Sequence, residues 1–226
     1  MMEQKAGEKM YLLFDLDGTL TDPGLGITNS VLYALEKFGI VPASREELYP
    51  YIGPPLIDSF QKYHGLTSKQ AKEALEYYRE YFSVRGLYEN EPYPGIEALL
   101  RTLQRAGYTL IVATSKPEEF THTILQHFRL DTYFSFVGGN TLDESRPTKA
   151  AVIRYIQEHF PDLTGENALM IGDRCYDMEG ARACGLPAVG VLYGYGSRSE
   201  LESAGADTVA QTPEELAEII FRRLSL

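Results

Sequence analysis

The sequence is poor in cysteine, in long apolar runs and in clustered positive charge. Two cysteines, Cys175 and Cys184, are too few for a disulfide framework and favour a reducing compartment. The first ten residues are polar, and no apolar stretch approaches the length needed to span a membrane. We therefore expect a cytoplasmic protein that has neither a secretion signal nor a membrane segment.

The chain also lacks a basic block. Its 21 Lys and Arg residues stand against 32 Asp and Glu residues, which gives a net charge of -11. Affinity for a nucleic acid backbone depends on clustered Lys and Arg, so this composition excludes a nucleic acid polymer as the expected partner. A small phosphorylated molecule needs only a few local cations and is not excluded. The sequence leaves the oligomeric state open.

Apolar runs of strand length alternate with segments of helical period over most of the chain. This alternation predicts an α/β fold with a doubly wound, Rossmann-like parallel sheet. The predicted strands are Tyr11–Asp15, Thr109–Ala113, Phe134–Val137, Ala168–Gly172 and Ala188–Leu192.

One interval breaks this alternation. Residues 22–90 contain helical segments at Ile27–Phe38 and Ser68–Phe82 but no convincing strand. A crossover between strands rarely needs such length. We therefore predict an inserted α-helical cap over residues 22–90 and an α/β core formed by residues 1–21 and 91–226. We expect the cap to close over the end of the first strand.

Two aspartates, Asp15 and Asp17, follow the first predicted strand and precede Gly18. In an open parallel sheet, ligands bind at the carboxyl ends of the strands. Two neighbouring carboxylates are unfavourable when buried unless a cation or a proton-transfer task compensates for them. The pattern therefore predicts metal-assisted chemistry in which one carboxylate acts on a substrate.

Polar residues follow three further predicted strands at the same edge of the sheet. They are Thr114, Ser115, Lys116, Lys149, Asp173 and Asp177. The hydroxyl, amide and ammonium groups of the first four suit the oxygens of a phosphoryl group, so we predict that they bind substrate. The two aspartates, together with the first pair, suit a hard divalent cation such as Mg2+.

These residues resemble, in order and spacing, the four motifs of the haloacid dehalogenase superfamily. The motifs are Asp15-Leu16-Asp17-Gly18-Thr19, Thr114, Lys149, and Asp173 with Asp177. The insertion resembles the helical cap of the first type in that superfamily, and the resemblance covers essentially the whole chain. The segment from Val191 to Ser197 is similar to the branch of phosphoglycolate phosphatases.

The resemblance implies a role for each matching residue. It implies that Asp15 is a nucleophile that becomes an aspartyl-phosphate and that Asp17 is the general acid and base. It implies that Thr114 binds phosphate and that Lys149 neutralises its developing charge. The implied Mg2+ ligands are Asp15, the backbone carbonyl of Asp17, Asp173, and Asp177 directly or through a neighbouring ligand.

The resemblance further implies a Mg2+-dependent phosphomonoester hydrolase that acts on a small phosphorylated metabolite. Asp17 favours ester hydrolysis over halide displacement, because an alkoxide leaving group needs a proton and a halide does not. The stretch Tyr51–Leu56 is similar to the cap of a 5′-nucleotidase-like branch, and Arg45 or Lys62 beside it would supply selectivity. The alternatives are a phosphoglycolate phosphatase and a phosphomutase on the same core.

Several assignments have competing interpretations. Arg146 is a rival to Lys149, because the motif reads Arg-Pro-Thr-Lys. Thr114 and Ser115 could cap a helix as well as bind phosphate. Lys116 could be a surface lysine, and Asp177 could act only at the start of its helix.

Overall fold

The structure is a computed structural model, and it describes residues 9–223. The predicted absence of a secretion signal, and the ends of the predicted core domain, fall partly outside the described residues. The chain divides into two compact units, of which one is Thr21–Glu91 and the other contains residues 9–20 and 92–223. Each unit is described by itself.

Eight strands form two sheets. They are β1 (Tyr11–Phe14), β2 (Thr21–Asp22), β3 (Glu91–Pro92), β4 (Thr109–Pro117), β5 (Phe136–Asn140), β6 (Ala168–Gly172), β7 (Ala188–Val191) and β8 (Thr208–Ala210). The six-stranded sheet has the order β5-β4-β1-β6-β7-β8, and its neighbouring strands pair in parallel. The short strands β2 and β3 pair with each other.

Nine α-helices complete the described part of the chain. They are α1 (Gly24–Glu36), α2 (Leu56–His64), α3 (Ser68–Tyr81), α4 (Ile96–Arg105), α5 (Glu118–His127), α6 (Lys149–His159), α7 (Cys175–Ala183), α8 (Arg198–Ala204) and α9 (Pro213–Arg223). Short helical turns of other types lie at Glu46–Tyr51, Phe82–Gly86 and Asp131–Tyr133. None of the helices among residues 9–223 combines the length and the apolarity that crossing a bilayer requires.

The central strand β1 is buried on both faces of the sheet. Tyr11 and Leu13 belong to one hydrophobic cluster with Ile153 of α6. Leu12 and Phe14, which are equally buried, point to the opposite face because side chains alternate along a strand. A parallel sheet that is covered by helices on both faces has this pattern. The predicted α/β, Rossmann-like core is therefore confirmed.

Four of the five predicted strands differ from the prediction in their extent, β1 and β7 by one residue at the end, and the short strands β2, β3 and β8 were not predicted. Strand β4 continues to Pro117, with a shift in its pairing to β5 between Ala113 and Pro117. Strand β5 begins at Phe136, two residues later than predicted. Strand β8 has only three residues, too few to show a hydrophobic period in the sequence.

The smaller unit, Thr21–Glu91, is largely helical. Thr67 caps α3 in a reciprocal capping box with Gln70. Helix α1 approaches the turn at Phe82–Gly86 so closely that a Cβ on Gly26 would collide with the carbonyl oxygen of Gly86. Helix α2 begins at Leu56, where the predicted loop ends.

The two residues predicted to supply selectivity in this unit are both engaged there. Arg45 donates hydrogen bonds to the Asn29 side chain at 2.9 Å and to the Thr28 hydroxyl. The Lys62 ammonium lies over the ring of Tyr63, 5.0 Å from its centroid. Their predicted role in selectivity stays a prediction.

Candidate active site

The turn after β1 carries the first two carboxylates. Asp15 continues the ladder, because its N–H donates to the Ile171 carbonyl of β6 at 2.9 Å. The carbonyl of Leu16 then accepts hydrogen bonds from the N–H groups of Thr19 and Leu20, which closes a tight turn. Gly18 in this turn has a φ of 81°, in the left-handed region that favours glycine.

Lys149 links carboxylates from two different parts of the sheet edge. Its ammonium nitrogen lies 2.8 Å from Asp15 Oδ1 and 2.8 Å from Asp177 Oδ1, and it donates to the Ala113 carbonyl at 2.8 Å. Burial alone would lower the pKa of Lys149, but the two carboxylates raise it, so the side chain is charged. Thr148 places this lysine at the start of α6 by accepting a hydrogen bond from the Ala151 N–H.

Asp17 faces a different cation. Its Oδ2 lies 2.8 Å from the ammonium nitrogen of Lys116, and both side chains are largely buried. Asp17 Oδ1 is buried and accepts no hydrogen bond from the described residues. Burial raises the pKa of the Asp17 carboxyl, although Lys116 opposes that effect. The structure thus separates two ion pairs, one on each aspartate of the first motif.

Asp173 lies directly after β6 and is fully buried. Its Oδ2 accepts a hydrogen bond from the Tyr195 N–H at 2.8 Å. Burial raises its pKa well above the usual range, and the nearby charges of Asp177 and Asp15 raise it further. Such a group is unfavourable as an anion unless a cation binds beside it.

Asp177 lies in the first turn of α7, where its Oδ2 accepts the Arg174 N–H at 3.0 Å. The carboxylate thus supports the start of its helix, as one competing interpretation predicted, and also contacts Lys149 through its other oxygen. Burial raises the pKa of Asp177 to about 6, with Lys149 acting in the opposite direction.

Carboxylate oxygens of Asp15, Asp173 and Asp177 all lie within 4.8 Å of one another. With Asp17, the site holds four carboxylates against the two ammonium groups of Lys116 and Lys149, which leaves two formal negative charges. A hard divalent cation balances this charge, and oxygen ligands are the ones that Mg2+ prefers. The donor set therefore fits the predicted metal.

The remaining predicted residues lie at the same edge. Thr114 is buried within β4, and its hydroxyl accepts the Lys116 N–H at 3.3 Å, while Ser115 beside it is partly exposed. Arg146, the rival to Lys149, is bound elsewhere: it donates to Glu118 Oε1 at 2.7 Å and to the Gly139 carbonyl at 2.7 Å. The geometry therefore favours Lys149 as the lysine of the motif.

Sequence reasoning missed the residues that hold Asp173 in place. The Tyr195 N–H and the close packing of Gly194 and Gly196 against Asp173 come from the loop after β7. The Gly194-Tyr195-Gly196 alternation was a visible signal, because glycines at strand ends mark close backbone approach. Their partner could not be read from the chain, since Asp173 lies twenty-two residues away from Tyr195.

Comparison with known proteins decides the family. A model of the haloacid dehalogenase-like hydrolases matches residues 12–191. The chain belongs to the haloacid dehalogenase-like hydrolase family. The predicted family, and with it the prediction that the chain is an enzyme, are confirmed.

The relatives of this hydrolase carry several functional names. A 5′-nucleotidase of Pseudomonas aeruginosa is 46% identical over 192 residues, which cover 85% of this chain and 86% of that protein. The tyrosine-protein kinase PtkA of Mycobacterium tuberculosis is 38% identical over 218 residues, with 95% and 74% coverage. A phosphoglycolate phosphatase of Pseudomonas aeruginosa is 32% identical over 194 residues, with 81% and 70% coverage.

A solved structure supports the same assignment. The crystal structure of a predicted phosphatase from Clostridium acetobutylicum superimposes on this hydrolase with a TM-score of 0.92 and 46% identity. It covers 96% of this chain and 100% of the other.

Proposed function

We propose that this chain, a phosphatase of the haloacid dehalogenase-like family, hydrolyses small phosphomonoesters with the help of Mg2+ and through an aspartyl-phosphate on Asp15. The preferred substrate class is a nucleoside 5′-monophosphate. One observation carries the proposal: Asp15 lies beside Asp173 and Asp177 at the carboxyl edge of the sheet, while Lys149 bridges two of these carboxylates.

Mg2+ would be held by Asp15, Asp173 and the backbone carbonyl of Asp17, with Asp177 as a direct ligand or as a support for one. When bound, it supplies positive charge that lowers the repulsion between an anionic nucleophile and an anionic phosphate. The excess of negative charge at this edge supports the assignment, because Lys149 is one ammonium group against the three carboxylates of Asp15, Asp173 and Asp177.

Asp15 is the nucleophile in this proposal. One of its oxygens bonds to phosphorus while the bond from phosphorus to the ester oxygen breaks. Lys149 orients the carboxylate and contributes positive charge near the transferring group. Thr114, Ser115 and Lys116 are the proposed contacts for the phosphoryl oxygens, and all three belong to the end of β4.

Asp17 moves the proton in both half-reactions. It donates a proton to the oxygen of the leaving alcohol as the ester bond breaks. The resulting carboxylate then takes a proton from water, whose oxygen attacks phosphorus and releases Asp15. Burial raises the pKa of Asp17, which helps it carry a proton, and the ion pair with Lys116 stabilises it once the proton has left.

The preference for nucleotides is supported by the 5′-nucleotidase relative, which has the highest sequence identity of the three named relatives. A phosphoglycolate phosphatase remains the alternative hydrolase. Transfer of the phosphoryl group to a second acceptor, as in a phosphomutase, is the alternative reaction on the same core. The tyrosine-protein kinase PtkA, at 38% identity, is a relative named for phosphoryl transfer.

A substrate panel tests the proposal. Purified protein with Mg2+ is incubated with nucleoside 5′-monophosphates, phosphoglycolate and sugar phosphates, and the released phosphate is measured. We expect the nucleotides to have the highest kcat/KM. Preference for phosphoglycolate would contradict the substrate class alone. Phosphoryl transfer to an added alcohol or bisphosphate activation, without net phosphate release, would contradict the hydrolytic reaction.

A further inference from the structure

The loop between β7 and α8, with the first turn of α8, surrounds Asp173. We call residues Tyr193 to Glu200 the β7–α8 segment. A Cβ on Gly194 would collide with the carbonyl oxygen of Gly18 and would lie 2.5 Å from Asp173 Cβ. A Cβ on Gly18 would in turn collide with Asp173 Oδ2. The two glycines therefore allow both loops to close around the Asp173 carboxylate.

The backbone of the same segment holds Asp173 directly. The Tyr195 N–H donates to Asp173 Oδ2 at 2.8 Å, which fixes one carboxylate oxygen. Gly196 lies against the main chain of Asp173, because a Cβ there would collide with the Asp173 carbonyl oxygen. This one loop thus contacts both the side chain and the main chain of Asp173, while the Thr19 hydroxyl donates to the other carboxylate oxygen at 3.5 Å.

Glu200, in the first turn of α8, binds the two residues that follow Asp173. Its Oε1 accepts hydrogen bonds from Arg174 Nε at 2.9 Å and from the Cys175 N–H at 3.0 Å. The turn that joins β6 to α7 is therefore tied to the first turn of α8. The contact fixes the start of α7, which also carries Asp177.

The segment is anchored at its other end as well. The ring of Tyr193 packs on that of Tyr93, with 5.1 Å between centroids, and the Tyr93 N–H donates to the Leu20 carbonyl at 3.1 Å. Leu20 closes the turn that contains Gly18. The β7–α8 segment thus connects the turn after β1 with the turn after β6.

We propose that the β7–α8 segment positions Asp173 for metal binding, with Gly194, Gly196 and Glu200 as positioning residues. The proposal rests on the proposed function, because it takes Asp173 as a metal ligand. None of the three contacts the metal in this account. Groups that orient a ligand affect metal affinity by about 10- to 100-fold when they are removed.

Mg2+ binding to the full chain, measured by titration calorimetry with Mg2+ alone, tests this role. We expect Gly194→Ala and Glu200→Ala each to raise the Kd for Mg2+ by roughly tenfold. Gly165→Ala is the matched control for the glycine, because its Cβ would likewise collide with a carbonyl oxygen, that of Gly185, and would meet neither Asp173 nor α8. Thermal unfolding without metal is measured for every variant, which separates loss of stability from loss of affinity.

Glu202→Ala is the matched control for Glu200→Ala. Glu202 lies on the same helix, and its replacement also removes one negative charge. Its partner is the exposed Arg198, at 3.2 Å. Both controls should keep the Kd of the unmodified chain. If Gly194→Ala does not fold, Glu200→Ala decides the question, because Glu200 is partly exposed and its loss opens no core cavity.

The outcomes separate the two proposals. If the unmodified chain binds Mg2+ and both test variants bind it equally tightly, the positioning role is overturned and the proposed function stands. If the unmodified chain binds no Mg2+, the metal-dependent function itself fails, and the positioning role fails with it.

Discussion

Each of the two buried lysines at the site faces its own aspartate of the first motif. Lys149 contacts Asp15, and Lys116 contacts Asp17. The proposed nucleophile and the proposed proton carrier are therefore held by different elements, one by the start of α6 and the other by the end of β4. This separation allows the effects of the two ion pairs to be measured one at a time.

Replacing Lys149 should affect chemistry far more than replacing Arg146. Lys149→Met leaves Asp15 and Asp177 without their shared cation, so we expect kcat to fall by roughly 100-fold or more. Arg146→Met is the matched control, since it removes only the contacts to Glu118 and Gly139. Steady-state kinetics with both variants would contradict the assignment if kcat fell more in Arg146→Met.

Asp17→Asn should slow hydrolysis in a way that depends on the leaving group. An alkoxide needs a proton when the ester bond breaks, whereas p-nitrophenolate leaves without one. We expect the rate constant for phosphorylation of the enzyme to fall much more with a nucleotide than with p-nitrophenyl phosphate. Release of the alcohol in a single turnover measures this rate constant. An equal loss for both substrates would contradict the role of Asp17 as acid.

At the scale of the secondary-structure element, helix starts place several of the charged groups. Lys149 is the first residue of α6, where a cation opposes the helix dipole. The carboxylates of Asp15 and Asp177 compensate for that placement. The Thr148 cap therefore serves the site as well as the helix.

Thr148→Ala should destabilise the protein and also impair the site. Loss of an N-cap hydroxyl costs about 1 kcal/mol of unfolding free energy. Because Lys149 follows directly, we expect kcat to fall as well. Thr67→Ala is the matched control, since it removes the cap of α3 far from Lys149 in sequence and in a different unit. Urea unfolding and kinetics on both variants check the difference; equal kcat in the two would contradict it.

At the opposite end of β1, Tyr11 gives a pH-dependent contribution to stability. Its hydroxyl donates to Asp162 Oδ2 at 2.7 Å and lowers the pKa of Asp162, while burial and that carboxylate raise the pKa of Tyr11 to about 12. A carboxyl whose pKa is lower when folded stabilises the fold above its unfolded pKa, near 4. This contribution is lost as the pH falls through the folded pKa.

Tyr11→Phe should therefore destabilise the fold at pH 7, and the difference from the unmodified chain should shrink as the pH falls below about 4. Asp162→Asn should show the same trend. Urea unfolding of the three proteins across this range measures it. A difference that does not depend on pH would show that the Tyr11 hydroxyl acts through packing and not through the charge of Asp162.

The elements of the core were predictable because their signals are local. Strand β6 has the predicted bounds, since Ala168–Gly172 is an apolar run that ends at a glycine. The run Thr212-Pro213-Glu214-Glu215 is typical of a helix start, and the Thr212 hydroxyl accepts the Glu215 N–H at 3.2 Å. Strand β8 and the extension of β4 were not predictable, because three residues carry no period and the extension depends on pairing with β5.

The candidate site was predictable as a set of residues but not as a set of contacts. The sequence placed Lys116 toward phosphate or solvent, whereas the structure pairs it with Asp17. The sequence also left Arg146 as a rival to Lys149. The structure pairs Arg146 with Glu118, which lies twenty-eight positions away in the chain. These ion-pair partners depend on the order of the strands in the sheet, which cannot be read from the sequence.

For the whole molecule, charge is the organising feature of the site within an acidic chain. The chain has a net charge of -11, and its site contains a cluster of buried carboxylates. Burial raises the pKa values of Asp173 and Asp177 in this cluster. Such a cluster of buried carboxylates is unfavourable in its charged form unless a cation binds beside it.

A bond between Asp15 and phosphorus is the central step of the proposed reaction, and trapping that bond tests it directly. Asp17→Asn protein is mixed with Mg2+ and p-nitrophenyl phosphate, quenched, and treated with borohydride, which reduces an acyl phosphate of aspartate to homoserine. Peptide mass spectrometry then locates the reduced residue. We predict homoserine at position 15 and none in an Asp15→Asn, Asp17→Asn double variant. A burst of p-nitrophenol with an unmodified Asp15 would contradict the account.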